Sequence, residues 1–377
     1  MSFLTFGVGP SKLSAETAQD LRNAADLQIA EISHRSQAFA EISRRALGGL
    51  RTFLRIPDSY HILYTSSASE AMELTIQSTV ELASFHFAQG KWSQYFADIA
   101  KHFRRADIAK HFRRRVLIDT VEWGQKNDFR NTFVPTEADL ITICHSETST
   151  GVACDLADIR AVRHRFPSTF LAVDGTSIMG AVAVDIALAD IWLFSVQKCF
   201  GLPAGLGVMI VHERVFERAA DLIARGVHNP GVFTLPAMFT MVQKDCNTVA
   251  TPNVLGIYLL AQQMERWNAQ CTMESRERET REKAELLGRA IEKSSSFRFL
   301  VRAPEDRSPT VCCVRSDPQT ITSLHALCRA QGIELGKGYG KLKEETVRIA
   351  NFPAITCGDI QRLLQVLEHV RSRTPAA

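Results

Sequence analysis

The sequence predicts an α/β fold, a large unit with a mainly parallel sheet covered by helices, followed by a smaller α+β unit. Two observations carry this. Short apolar strands alternate with helical stretches between about residues 60 and 212, and the texture changes after about residue 256 to long polar helix and isolated strands. A length of 377 residues is also enough for two cores.

The elements follow in order. "HILYTS" (61–66) reads as a strand running into the helical "ASEAMELTIQSTVELASF" (68–85). "ADLITICH" (138–145) is a strand, "DLADIRAVRHRF" (155–166) a helix and "TFLAVDG" (169–175) the next strand. "DIWLFSVQ" (190–197) and "LGVMIVHE" (206–213) are two further strands, close enough in sequence to pair side by side. Beyond them "QQMERWNAQCTMESRERETREKAELLGRAIEKS" (262–294) reads as one long polar helix. The strands "TVCCVRS" (310–316) and "TVRIANF" (346–352) and the amphipathic helix "DIQRLLQVLEHVRSR" (359–373) complete the chain. The expected division is 12–255 for the large unit and 256–377 for the small one, with residues 1–11 packing on the latter.

One segment interrupts the pattern: "ADIAKHFRR" occurs twice in tandem, at 97–105 and 106–114. Nine residues are about two and a half helical turns, so one continuous helix cannot bury both copies on the same partner. A basic patch for an acidic partner is one reading; a local duplication carried as a bulge or exposed segment is the expected one.

Composition narrows the function classes. A hydrophobic content of 45% with 23% charged residues is that of a globular protein, and a net charge of +3 is too small to argue for nucleic acid or membrane binding. Nine scattered cysteines, without CxxC or zinc spacing, read as reduced thiols and predict neither disulfides nor metal. The start "MSFLTFGVGP" has no basic-then-apolar signal, and no apolar run approaches the roughly 18 residues of a membrane span, so a cytoplasmic protein is expected.

Three features then converge on the carboxyl ends of the predicted strands, where ligands bind in such sheets. Lys198 follows an apolar strand directly, and a charged amine there is costly unless solvated, paired or covalently occupied. Asp174 ends another apolar strand. "SSASEAM" (66–72) takes the chain from strand to helix, with Ser67 and Glu70 in capping-box spacing and small residues that let an anion approach the backbone. A lysine, a carboxylate and an anion-ready helix start suit pyridoxal phosphate: lysine for the covalent link, aspartate for the pyridine nitrogen, helix start for the phosphate.

The wording of the sequence carries a resemblance to a known family. "FGVGPSKLS" is similar to F-x-x-G-P-x-x-L-P, "ISHRSQAF" to S-H-R-x-x-x-F, and "LRIPDSYHILY" to L-x-V-P-x-x-Y-x-V-L-F. "HSETSTGVA" is similar to N-E-T-x-x-G, "AVDGTS" to A-D-x-S-S, and "SVQKCFGLPAG" to A-Q-K-N-x-G-P-A-G. These matches run in order from residue 6 to about 255 and resume at "RIANFPA". The chain resembles the class V, fold-type I pyridoxal-phosphate aminotransferases, and within them the phosphoserine aminotransferases.

The resemblance implies a role for each matched position. Lys198 is the cofactor-bearing lysine and proton carrier, Gln197 its cofactor-contacting neighbour, and Asp174 the partner of the pyridine nitrogen. Trp92 supplies the stacking ring, Thr148 a hydroxyl to the phenolic oxygen, and Ala68 and Ser69 backbone donors to the phosphate. Thr251 reaches the phosphate from a second subunit, which implies a homodimer. Arg348 holds the substrate α-carboxylate, while His34 and Arg35 grip the substrate's phosphate. The chain departs from the family in three places. The second His-Arg pair falls in "LGKGYGKLKEE", which offers Lys337, Lys341 and Lys343 instead; the G-G-G-R-G loop is Ser66 to Glu70; and an asparagine before Thr251 is Ala250. The implied reaction passes an amino group from glutamate to 3-phosphohydroxypyruvate, with an alanine- or serine-glyoxylate type of transaminase as the alternative and a non-catalytic binder as the remote one. A nicotinamide enzyme is not supported, because no G-x-G-x-x-G follows a strand.

Overall fold

The computed structural model describes residues 3–103, 114–227 and 231–373. The chain opens with β1 (Leu4–Phe6), α1 (Ala15–Asp26) and α2 (Gln37–Phe53). It continues through β2 (Tyr60–Thr65), α3 (Ala68–Thr79), β3 (Ala83–Ala88), α4 (Lys91–Phe103), β4 (Arg115–Thr120), β5 (Leu140–Cys144), β6 (Ser146–Glu147), β7 (Val152–Ala153) and α5 (Leu156–Arg165). Next come β8 (Phe170–Asp174), β9 (Ile191–Ser195), β10 (Gly207–His212), α6 (Glu213–Ala224), α7 (Leu235–Asp245), α8 (Val254–Gln270) and α9 (Met273–Glu292). The last elements are β11 (Arg298–Phe299), β12 (Val311–Arg315), α10 (Pro318–Ala330), β13 (Ile333–Lys337), β14 (Thr346–Ala350) and α11 (Cys357–Arg373).

A seven-stranded sheet in the order β2-β10-β9-β8-β5-β3-β4 forms the large layer. Only β10 runs against its neighbours, pairing antiparallel with β9 and β2, so six strands point the same way and end at one edge. β5 and β9 are buried along their whole length, as strands covered by helices on both faces must be. Asp190, just before β9, fastens its base: the carboxylate accepts from Leu171 N–H at 2.8 Å, Arg163 at 2.5 Å and Arg214 at 2.5 Å. A five-stranded sheet, β1-β13-β14-β12-β11, forms the smaller layer, with α9, α10 and α11 against its core.

Three local expectations need correction. The helix read as 68–85 stops at Thr79, and residues 83–88 are instead β3. The cause is tertiary: the Asp139 carboxylate accepts from the amides of Glu81, Leu82 and Ala83 at 2.9, 2.5 and 3.0 Å, which ends the helix and starts the strand. The long polar helix is two helices, broken at Cys271, where Thr272 and Ser275 form a reciprocal capping box that restarts the chain as α9. Residue 256, taken as the division point, lies inside α8, whose Ile257, Leu260 and Met264 belong to the large core beside α2. At the other end Phe6 joins the core of the smaller layer, because β1 pairs in parallel with β13. The first "ADIAKHFRR" copy supplies the end of α4 and buries Ala97 and Ala100; the second, apart from Arg114, lies outside the described residues.

Candidate active site

Lys198 stands three residues past β9 and is 9% exposed. The turn that holds it is anchored by Phe200, whose ring lies between Phe194 of β9 at 4.9 Å and Trp267 of α8 at 5.3 Å, both stacked. An aromatic ring buried so fully resists truncation by about 3–5 kcal/mol, so this turn is a rigid mount. Lys198 Nζ donates to the carbonyl of Val8 at 2.6 Å and sits 5.9 Å from the Trp92 ring. The N-terminal segment crosses so close that a Cβ on Gly9 would lie 2.7 Å from Lys198 Cε, and Gly9 holds a φ of 152° that other residues rarely adopt. Burial, with help from the Arg348 cation, pulls the amine's pKa down to about 8, while Asp174 opposes the shift.

Asp174 closes β8, directly opposite Cys144 of β5. Its Oδ1 accepts from Thr176 N–H at 2.9 Å and its Oδ2 faces the Cys144 thiol at 3.9 Å. Burial pushes this carboxyl's pKa up to about 6, against the pull of the Thr176 amide hydrogen bond.

The start of α3 completes the edge. Ser67 caps the helix by accepting from Glu70 N–H at 3.3 Å, and Ala68 N–H donates to Ser195 Oγ at 2.7 Å. The expected capping box is only half formed: the Glu70 carboxylate accepts from the N–H and the hydroxyl of Ser66, both at 2.6 Å, and not from Ser67. The Glu70 carboxylate is thereby held on Ser66, one residue before the cap.

Ala68, Ser69, Trp92, Thr148, Asp174, Gln197 and Lys198 all line one cleft of about 160 Å³. Cys144, Thr176, Ser177 and Ser195 line it as well, and sequence reasoning missed them. Two polar atoms in its walls, Trp92 Nε1 and Thr176 Oγ1, are buried without a hydrogen-bond partner. Such atoms are costly unless something polar meets them, so the walls fit a flat molecule with polar substituents. Arg348, on β14, does not itself line the cleft but is tied to its wall from the smaller layer: its guanidinium donates to the Thr148 carbonyl at 3.2 Å and the Lys337 carbonyl at 2.7 Å.

Residues 9–362 match the family described as Aminotransferase class-V. The chain belongs to the class-V aminotransferase family. It is thereby a pyridoxal-phosphate-dependent aminotransferase, and the cleft's lysine, carboxylate and helix start are the groups that cofactor needs. The chain is similar to a phosphoserine aminotransferase from a Nocardioides species, 28% identical over 97% of this chain and 94% of that one. Among solved structures it is similar to a phosphoserine aminotransferase from Cytophaga hutchinsonii, with a TM-score of 0.91 and 33% identity over 97% of this chain and 98% of that one. A ureidoglycine-glyoxylate aminotransferase from Bacillus subtilis shares the fold at a TM-score of 0.80 and 18% identity, over 100% and 94%.

Not every matched position of this class-V aminotransferase reaches the cleft within one chain. Thr251 lines a neighbouring cleft of about 190 Å³, together with Ser66 and Glu70 on the other side of the α3 start. His34 is half-buried and Arg35 exposed in the turn before α2, and neither lines the Lys198 cleft. In the lysine-bearing loop after β13, Tyr339 approaches a residue of the cleft wall. Tyr339 lies 6.1 Å from the Trp92 ring and 5.3 Å from the Arg348 guanidinium, and exposed Lys341 sits 5.8 Å from the Trp123 ring.

Proposed function

We propose that this aminotransferase transfers the amino group of glutamate to 3-phosphohydroxypyruvate, giving phosphoserine and 2-oxoglutarate. The observation that carries the reading is Tyr339, in the loop that also bears Lys337, Lys341 and Lys343, which stands 6.1 Å from the Trp92 ring and 5.3 Å from the Arg348 guanidinium. Two phosphoserine aminotransferases among its relatives support it. Bound in the cleft, pyridoxal phosphate supplies the electron sink that makes an amino acid's Cα proton acidic. Ser69 offers a first-turn amide of α3 to its phosphate, Ala68 stands beside it with its own amide on Ser195 Oγ, and Thr148 and Gln197 orient its ring against Trp92. Asp174 keeps a negative charge at its pyridine nitrogen, and Lys198 anchors it. Lys198, held near neutrality, then carries the proton to and from the substrate Cα. Arg348 presents a planar fork to the substrate α-carboxylate, a geometry lysine lacks.

A second reading, a class-V transaminase for a small unphosphorylated 2-oxo acid, is favoured by the position of His34 and Arg35 outside the cleft. An acceptor panel with glutamate as donor separates the two. A charge-assisted hydrogen bond is worth roughly 1.5–3 kcal/mol. Arg35→Ala or Lys341→Ala is therefore expected to raise KM for the phosphorylated acceptor about ten- to a hundredfold and to spare glyoxylate or pyruvate. Equal losses on both kinds of acceptor would remove the phosphate reading.

We also infer a cytoplasmic homodimer in which Thr251 serves the phosphate of the second copy. Apolar Phe233, 44% exposed, lines the Thr251 cleft, and its neighbour Val232 is 72% exposed, as surface awaiting a partner would be. The nine free thiols accord with a reducing compartment. Sedimentation at assay concentration is expected to give a dimer; an active monomer overturns this.

A further inference from the structure

Glu147 is fully buried, one residue before Thr148, and has no part in the chemistry above. Both its oxygens are occupied by donors. Oε2 accepts from Trp92 N–H, Ser93 N–H and Ser93 Oγ–H, each at 3.0 Å; Oε1 accepts from Ser149 N–H at 3.1 Å and Ser149 Oγ–H at 2.7 Å. Ser149 Oγ in turn accepts from Lys91 N–H at 2.9 Å. The first three amides of α4, which have no partner inside the helix, thus end on Glu147 directly or through Ser149. The helix dipole favours a negative charge at this place. Gly90 makes the approach possible, since a Cβ there would lie 2.3 Å from Glu147 Cγ.

A surface serine would cap α4 without the desolvation cost of a buried carboxylate. What Glu147 adds is a tie between two walls of the cleft: the β6 side that carries Thr148, and the α4 start that carries Trp92. We propose that Glu147 is the positioning residue for the aromatic wall of the cofactor cleft, locking the Trp92 backbone so that the indole stays in register with Lys198. This rests on the reading of Trp92 as the cofactor's stacking partner. The carboxylate's charge also opposes, as a small influence, the lowering of the Lys198 and Arg348 pKa values by burial.

A double-mutant cycle on cofactor affinity tests it, with Kd read by absorbance of pyridoxal phosphate titrated into the apoprotein. Glu147→Gln keeps the size and loses the charge, and is expected to weaken binding about tenfold or more in the Trp92 background. In a Trp92→Ala background, with no ring left to position, the same change should add less than about threefold. Ser149→Ala removes one donor to the carboxylate and serves as the milder variant if Glu147→Gln does not fold. It should weaken binding in the same direction and also become silent in Trp92→Ala. The Trp92 component of the apoprotein's fluorescence should shift to the red in Glu147→Gln as the indole meets water. Additive effects in the cycle overturn the positioning role. An unchanged Kd in Trp92→Ala alone overturns the stacking reading on which it rests, and the two results are distinct.

Discussion

Lys198→Ala protein is expected to fold and to lose transamination by about 10⁴-fold or more, since it removes both the covalent anchor and the proton carrier. Among the described residues one other lysine is buried as deeply. Lys283 is fully buried in α9 and donates to the Ile355 carbonyl at 2.6 Å, but it lines no part of the cleft with Asp174. Borohydride treatment of the loaded wild-type enzyme should therefore fix the cofactor to the peptide that contains Lys198. Labelling of the Lys283 peptide, or of any other, would sink the assignment. The pH dependence gives a second readout. With burial holding the amine's pKa at about 8, cofactor incorporation into the apoprotein should rise with pH through about 8 and then level. An ordinary lysine would keep rising toward 10.5.

Asp174→Asn is expected to leave cofactor bound but to slow the half-reaction by about 10²–10³-fold, because a preorganised charge at the pyridine nitrogen is replaced by a neutral amide. A near-normal single-turnover rate in this variant would refute the role. The same residue leaves a mark on the apoprotein. Burial raises the Asp174 pKa to about 6 in the folded chain, above the roughly 3.9 of an unfolded aspartate. The folded state thus binds the proton more tightly. Its contribution to stability is present below about pH 4 and is lost as pH rises through 6. Wild-type apoprotein should lose stability across that window, by an amount on the order of 2–3 kcal/mol. Asp174→Asn apoprotein should lack that step; an identical pH profile for the two in chemical denaturation would contradict the burial argument.

Much of the fold and cleft was legible because the relevant signals are local. A lysine just past a wholly apolar strand, an aspartate ending another and a serine before a helix each sit in a short readable string, and the structure brings all three to one edge. What was illegible depends on groups distant in sequence. No local rule reveals that Asp139 would reach back to the amides of Glu81 to Ala83 and end α3 early. The half-formed box at Ser67 differs for a nearer reason, since the Glu70 carboxylate is taken by the amide and hydroxyl of Ser66. Glu147 was in plain view in "HSETSTG", yet only the fold shows that its partners are the first amides of α4. His34, Arg35 and Thr251 are placed by likeness to the family, and the cleft of a single chain is built without them.

The Val8 carbonyl that receives Lys198 has a consequence for how the protein is made. β1 leaves the ribosome more than 300 residues before its partner β13, so Leu4 must wait for Ile333. A nascent chain stalled before residue 333 already holds all seven strands of the large sheet and Lys198 at their edge. It lacks the strand that docks β1, and with it the anchor for the segment that crosses the amine. The synthesis of β13 is thus registered at Lys198, and a product truncated before it carries an amine without its backbone clasp.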